Sequence, residues 1–320
     1  MKKIKTKYKI IFLIVLFFAL LIIEFPYYIE SPGGISSLED KIEIDGYKSK
    51  GSFNLSYVSE YSATVPLIFY SFFNKNFDIV KQDEYVMDGE TVEDYSNRDS
   101  LFMEEAISSA IYVAFKKANK NIEEINNKLY VLYNENENSD LKVNDEIIEI
   151  NGNEVKSRED IENLLKTIKS DKVKIKVKRN EKISTKQVYL TKEKKLGIIV
   201  SNIKEYKTNP KLSFKIDKNE SGSSGGLMMA LSIYNSLIKE DLTNGLKIVG
   251  TGTIDYDGNV GEIAGVKYKL ISAKKAHANL FFVPFGDNCK EAKKLNKKYN
   301  YKINIKCVKN FDEAVAYLNS

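Results

Sequence analysis

Residues Ile10 to Ile23 form an unbroken apolar run, IIFLIVLFFALLII, with lysines before it and Glu24, Phe25, Pro26, Tyr27 and Tyr28 after it. A spanning helix usually needs about 20 apolar residues, so a run of this length fits the core of a signal peptide. No small-x-small cleavage site follows it, which favours an uncleaved anchor; both readings stay open. Residues 26–60 are strand-like and turn-rich, with Pro32-Gly33-Gly34 read as a loop. Residues 61–100 are aromatic and acidic and show no clean period. Then Met103, Ala106, Ile107, Ala110, Ile111 and Ala114 recur at helical spacing and predict a helix ending in the polar stretch Lys116 to Asn121.

Residues 129–190 read as a small αβ module. Leu129-Tyr130-Val131-Leu132 is one strand, and Glu146 to Ile150 is another, closed by the turn Asn151-Gly152. Ser157 with Asp160 three residues on suits a capping box. Ile161, Leu164, Leu165 and Ile168 give the following helix one apolar face. Lys172 to Lys178 alternates lysine with Val173, Ile175 and Val177, the pattern of a half-buried strand with a wet face rather than a basic recognition patch. Leu141-Lys142-Val143-Asn144-Asp145-Glu146-Ile147-Ile148, then Ile150-Asn151-Gly152, then the helix, resembles a PDZ domain. Such domains bind peptides by strand addition. Asn144-Asp145 stands where the usual Gly-Asp would be, and no glycine-rich carboxylate loop precedes Leu129.

At 320 residues, with 43% hydrophobic and 29% charged, the chain fits a globular protein of about two folded units. Lys+Arg is 49 and Asp+Glu is 44, but Lys2, Lys3, Lys5, Lys7 and Lys9 account for the surplus. The remainder is neutral, which argues against a nucleic-acid partner. The one histidine, His277, excludes any site with two histidine ligands, and two cysteines, Cys289 and Cys307, exclude a four-cysteine zinc site. No glycine is followed by lysine, so there is no Walker A loop and no ATP site of that kind. No metal or cofactor is expected.

The most unusual local sequence is Ser221-Gly222-Ser223-Ser224-Gly225-Gly226-Leu227. An apolar face at Leu227, Ala230, Leu231, Tyr234 and Ile238 predicts a helix directly after it. A small-residue loop thus delivers two serines to a helix N-terminus, where unpaired amides carry partial positive charge and suit a developing oxyanion. Taken alone, such a loop is more often a plain N-cap, and it also suits a bound anion. A serine nucleophile needs a base. His277 sits in Ala276-His277-Ala278-Asn279, which reads as a helix end. A lysine serves if burial pulls its pKa from about 10.4 toward neutrality. Lys269 fits, because Val266, Leu270, Ala273 and Ala276 surround it on a helix from about Ala264 to Ala276. Lys267 shares a mixed, more solvent-like face with Ile271 and Lys274. Without its partners Lys269 would read as a snorkelling surface lysine.

Together these segments resemble the proteolytic domain of Lon-type Ser/Lys proteases, which carry G-P-S-A-G at the nucleophile and a G-G-x-K-x-K-like segment at the lysine. Here Gly222-Ser223-Ser224-Gly225-Gly226 precedes Ala264-Gly265-Val266-Lys267-Tyr268-Lys269, with Ser224 and Lys269 separated by 45 residues. Between them, Thr251-Gly252-Thr253-Ile254 is similar to the family's T-G-x-I hairpin. Ser223 stands where the family has proline, and Gly225 where it has alanine. The resemblance implies Ser224 as nucleophile, Lys269 as base, Thr251 orienting the lysine, and Gly222, Ser223 and Gly225 shaping the oxyanion loop.

With Tyr28-Ile29-Glu30-Ser31-Pro32-Gly33-Gly34 just past the apolar run, the chain resembles the membrane-anchored, PDZ-containing Lon-like proteases of Gram-positive bacteria. That implies an α/β (α+β) Lon-type proteolytic domain, a PDZ-like module and one N-terminal transmembrane helix. The expected division is 1–25 cytoplasmic tail and anchor, 26–120 extracytoplasmic segment packing with the protease domain, 121–192 PDZ-like domain, and 193–320 proteolytic domain. The implied activity is ATP-independent endopeptidase cleavage of exported peptides or proteins at the cell membrane, with the catalytic part outside. A homo-oligomer is compatible with the sequence. The alternatives are a non-catalytic, membrane-tethered peptide-binding scaffold and an anion-binding protein using the 221–226 loop.

Overall fold

A computed structural model describes residues 2–217 and 220–320. The chain opens with α1 (Lys2–Ile22), β1 (Glu24–Ser37), β2 (Ile42–Ile44), β3 (Ser52–Thr64), α2 (Val65–Phe73), β4 (Asp78–Lys81) and α3 (Val92–Lys117). A second module follows: β5 (Asn121–Asn134), β6 (Glu146–Ile150), β7 (Asn153–Glu154), α4 (Arg158–Thr167), β8 (Lys172–Arg179), β9 (Lys182–Tyr189) and β10 (Ile198–Asn209). The C-terminal part holds β11 (Leu212–Phe214), α5 (Gly226–Leu237), β12 (Lys247–Gly250), β13 (Thr253–Ile254), β14 (Val260–Gly261), α6 (Val266–Lys275), β15 (Leu280–Pro284), α7 (Asp287–Lys298), β16 (Asn304–Val308) and α8 (Phe311–Leu318).

The two ends of the chain build one sheet, in the order β16-β15-β12-β3-β1-β4. β12 runs parallel to β15 and β3, whereas β1 is antiparallel to both β3 and β4. Side chains alternate across a strand, so adjacent residues serve opposite faces. Phe282 and Ile248 join α3, α5 and α8 on one face, through Ala110, Leu231 and Val315. Phe281 and Val249 join α6 and α7 on the other, through Leu270 and Ala292. Both faces are covered, which explains why β15 is buried along its whole length. Cys289 on α7 and Cys307 on β16 form a disulfide.

The second module has an antiparallel sheet, β10-β5-β6-β8-β9, with β7 paired to β6. Val173, Ile175 and Val177 of β8 are buried against Ile161 and Leu165 of α4, as the alternation predicts. Ser157 caps α4 by accepting from the Asp160 amide at 3.1 Å, but the Asp160 carboxylate reaches back to the Lys156 amide. Leu101 of α3 packs with Leu132 of β5 and Ile203 of β10, joining the module to the rest.

Three readings change. The Pro32-Gly33-Gly34 loop is part of β1, with a register shift at that point. The Tyr57 ring lies over Gly33, where any Cβ would stand 2.4 Å from Tyr57 Cδ2, so glycine here admits a neighbour rather than a turn. The helix at 103–114 belongs to a longer one: Thr91 and Asp94 form a complete capping box that starts α3 at Val92. Lastly, among the described residues no helix is long and apolar enough to cross a membrane. α1 spans 21 residues, but its first turns are lysine-rich. The expected transmembrane helix is therefore not supported.

Candidate active site

The serine loop ends where α5 begins. Gly225 is the N-cap, and among the described residues no side chain caps the helix. Gly222 sits at φ +85°, a left-handed conformation that favours glycine. Gly226 lies under Ile254, where a Cβ would come within 3.0 Å of the Ile254 amide nitrogen. Close packing here lets the strand after β12 run against the loop. The Gly252 amide donates to the Ser224 carbonyl at 2.7 Å, and the Leu227 amide donates to the Gly252 carbonyl at 3.0 Å.

Lys269 lies on the inner face of α6 and is only 4% exposed. Its Nζ is 2.8 Å from Ser224 Oγ and 3.3 Å from Thr251 Oγ1. Thr251 is fully buried and donates its hydroxyl to the Ser224 carbonyl at 3.0 Å. It therefore touches both the lysine and the serine backbone. Burial lowers the Lys269 pKa to about 8, against the opposing pull of Asp99, Glu60 and Glu30. A neutral amine within hydrogen-bond reach of a hydroxyl accepts its proton.

The other sequence candidates fall elsewhere. His277 is exposed just past the end of α6, eight residues beyond Lys269, or about 12 Å along a helix. Lys267 pairs with Asp78, and Tyr268 binds the same carboxylate. Ser223 is half-buried, and its carbonyl accepts from the Gly226 amide at 3.2 Å.

Three carboxylates near Lys269 are not among the site residues read from the sequence. Asp99 on α3 accepts from Ser221 Oγ at 2.6 Å, and its backbone carbonyl accepts from the Gly222 amide at 2.9 Å. Glu60 on β3 accepts from the Tyr95 hydroxyl at 3.2 Å, and Glu30 on β1 accepts from the Tyr85 hydroxyl. Burial raises the pKa of both Asp99 and Glu60. In the second module β10 lines one side of β5 along Asn121 to Asn134, and β6 pairs with Leu129 and Tyr130 on the other. The outer edges of this sheet are β10 and β9.

Residues 216–319 match the Lon protease (S16) C-terminal proteolytic domain, and residues 122–190 match a PDZ domain. The Lon protease of Mycoplasma pneumoniae (strain ATCC 29342 / M129 / Subtype 1) is 33% identical over 98 residues. That stretch is 28% of this chain and 12% of that protein, so the chain spans a small fraction of the relative's length. The chain thus carries a Lon-type proteolytic domain and a PDZ domain, and serine peptidase chemistry is what the first supports. β1, β3 and α3, which complete the sheet and supply the carboxylates, lie outside both matches.

Proposed function

We propose that this protein is a serine endopeptidase that works without ATP through a Ser224–Lys269 dyad. The observation that carries the reading is the 2.8 Å contact between Ser224 Oγ and the Nζ of a lysine that is 4% exposed. Neutral Lys269 takes the serine proton as Oγ attacks the peptide carbonyl, and returns it to the leaving amine. A water then hydrolyses the acyl-enzyme with the same lysine as base. The Gly226 and Leu227 amides are engaged by Ser223 and Gly252 carbonyls, so the oxyanion falls to the amides just before them, at Ser224 and Gly225. Thr251 keeps the lysine aimed at Oγ.

The reading extends to place and partner. The substrates are exported peptides or proteins, processed at the outer face of the cell membrane. The Cys289–Cys307 disulfide suits an oxidising compartment. The apolar stretch of α1 holds the chain at the lipid, and α2 adds Phe69, Phe72 and Phe73, each at least 65% exposed. Glu24 pairs with Thr64, which seats the end of α1 beside the start of α2. The PDZ module acts as a buttress for α3 through Leu132 and Ile203.

The test is labelling with a fluorescent fluorophosphonate, followed by peptide mapping. Covalent label on Ser224 in the wild type, and none in Lys269→Ala, is the expected result. An unlabelled Ser224 would leave a binding scaffold as the better description.

A further inference from the structure

The Lon-type domain holds the nucleophile loop firmly on one side only. Downstream of the nucleophile, Thr251 and Gly252 both bind the Ser224 carbonyl. Upstream, the sequence Ser221-Gly222-Ser223 has neither a β-branched residue nor proline to narrow its conformations, and Gly222 sits at positive φ. What meets it there is Asp99. Its carboxylate takes the Ser221 hydroxyl at 2.6 Å, and its carbonyl takes the Gly222 amide at 2.9 Å. A Cβ at Gly222 would face Asp99 Oδ1 at 3.5 Å.

The post that carries Asp99 is itself rigid. α3 begins in the Thr91–Asp94 capping box. Arg98, the neighbouring residue, is 7% exposed and bonds both Glu90 oxygens, at 2.7 and 2.9 Å, and the Tyr85 carbonyl at 3.0 Å. Farther along, Ala106, Ala110 and Ala114 are buried against α5. We infer that Asp99 is a positioning residue that clasps the loop from the far side of Ser224 and supplies the stiffness that the loop's own sequence lacks. The inference rests on the Ser/Lys reading and adds a residue from outside the matched domain.

A clasp and a charge make different demands, and substitutions separate them. The charged and titratable groups facing Lys269 are Asp99 from α3, Glu60 from β3 and Glu30 from β1, with Arg98, Tyr95 and Tyr85 beside them. Asp99→Asn keeps an oxygen for Ser221 and removes one negative charge from near the lysine. Asp99→Ala removes the side-chain bond altogether. Ser223→Pro restores loop stiffness by other means, since proline fixes its own φ.

The rate constant for fluorophosphonate labelling of Ser224 reads all of these without a known substrate. Asp99→Ala should lower the maximal labelling rate about 10- to 100-fold, with the half-saturating probe concentration little changed, as misplacement of a reacting group does. Asp99→Asn should lose far less, and its rate should rise at lower pH than the wild type. Adding Ser223→Pro to Asp99→Ala should recover most of the loss. Thermal melting of each variant, within a few degrees of wild type, shows that the fold is kept. A wild-type rate in Asp99→Ala would overturn the inference. So would an Asp99→Asn loss equal to that of alanine, or a double variant no faster than the single one. If the wild type itself shows no Ser224 labelling, the Ser/Lys reading fails first, and that result is distinguishable from the others.

Discussion

Ser223 and Ser224 are chemically alike, and position alone separates them. Ser224 is the one within 2.8 Å of Lys269, so Ser224→Ala should abolish labelling and peptide cleavage with a nearly unchanged melting temperature, while Ser223→Ala keeps substantial activity. Activity in Ser224→Ala, measured on an unstructured protein such as casein, would shift the nucleophile by one residue. Lysine chemistry has its own signature. In the proposed dyad the unprotonated amine is the working form, and it accumulates as pH rises through about 8, so kcat/KM should climb over that interval and level off above it. Lys269→Arg should be as inactive as Ser224→Ala, because a guanidinium stays protonated. His277→Ala and Lys267→Arg should follow the wild-type profile. A climbing limb near pH 6 that disappears in His277→Ala would assign the base to the histidine. The serine loop and the apolar setting of Lys269 were legible because both are local: a run of small residues, and a helix face. Asp99, Glu60 and Glu30 were not, since nothing local ties any of them to the lysine, which they meet only through the sheet and α3.

Helices with a strong period were read correctly along most of their length, and the misses have physical causes. α3 begins eleven residues before Met103 because its first turns, VEDYSNRDS, are polar and its start is set by a cap rather than by burial. β1 hid behind Pro32-Gly33-Gly34, since what those glycines answer to is Tyr57 on the neighbouring strand. α5 is the best-buried helix of the site, and Leu231 is fully inaccessible. Leu231→Ala should cost about 3 kcal/mol, read as a lower urea midpoint with an unchanged slope. A loss below about 1 kcal/mol would mean that the layer between α3 and the sheet repacks freely. For the PDZ module, β10 already lies where strand addition to β5 would occur. Labelled peptides with a free C-terminus should therefore show no saturable fluorescence-anisotropy binding that is lost on substitution of β5 residues such as Tyr133. Saturable binding would place the peptide on an outer edge of the sheet, at β10 or β9, rather than on β5.

Over the whole molecule, the exposed apolar side chains of α1 and α2 lie together at one end of β3. α1 and α2 meet there, while Tyr47 lies beyond the other end of the strand. The chain has no tryptophan, so single Trp reporters are unambiguous. In the full chain reconstituted in vesicles, Phe17→Trp and Phe72→Trp should both be quenched by brominated lipid, and Tyr47→Trp by aqueous acrylamide alone. Quenching of Phe17→Trp without Phe72→Trp would restrict lipid contact to α1. The sheet order has a further consequence, for the timing of biosynthesis. β3 and β12 are direct neighbours, yet the Asn54 amide group reaches the Ile248 carbonyl across 194 residues of sequence. Such long-range pairing makes folding slow, because a large loop must close before the contact forms. A chain emerging end-first from a ribosome or a translocation channel exposes β1 and β3 long before β12, β15 and β16 arrive to cover them. During that interval the hairpin has an open edge, and the proposed Ser224–Lys269 pair cannot form until that edge is covered, because both residues sit in the last third to appear.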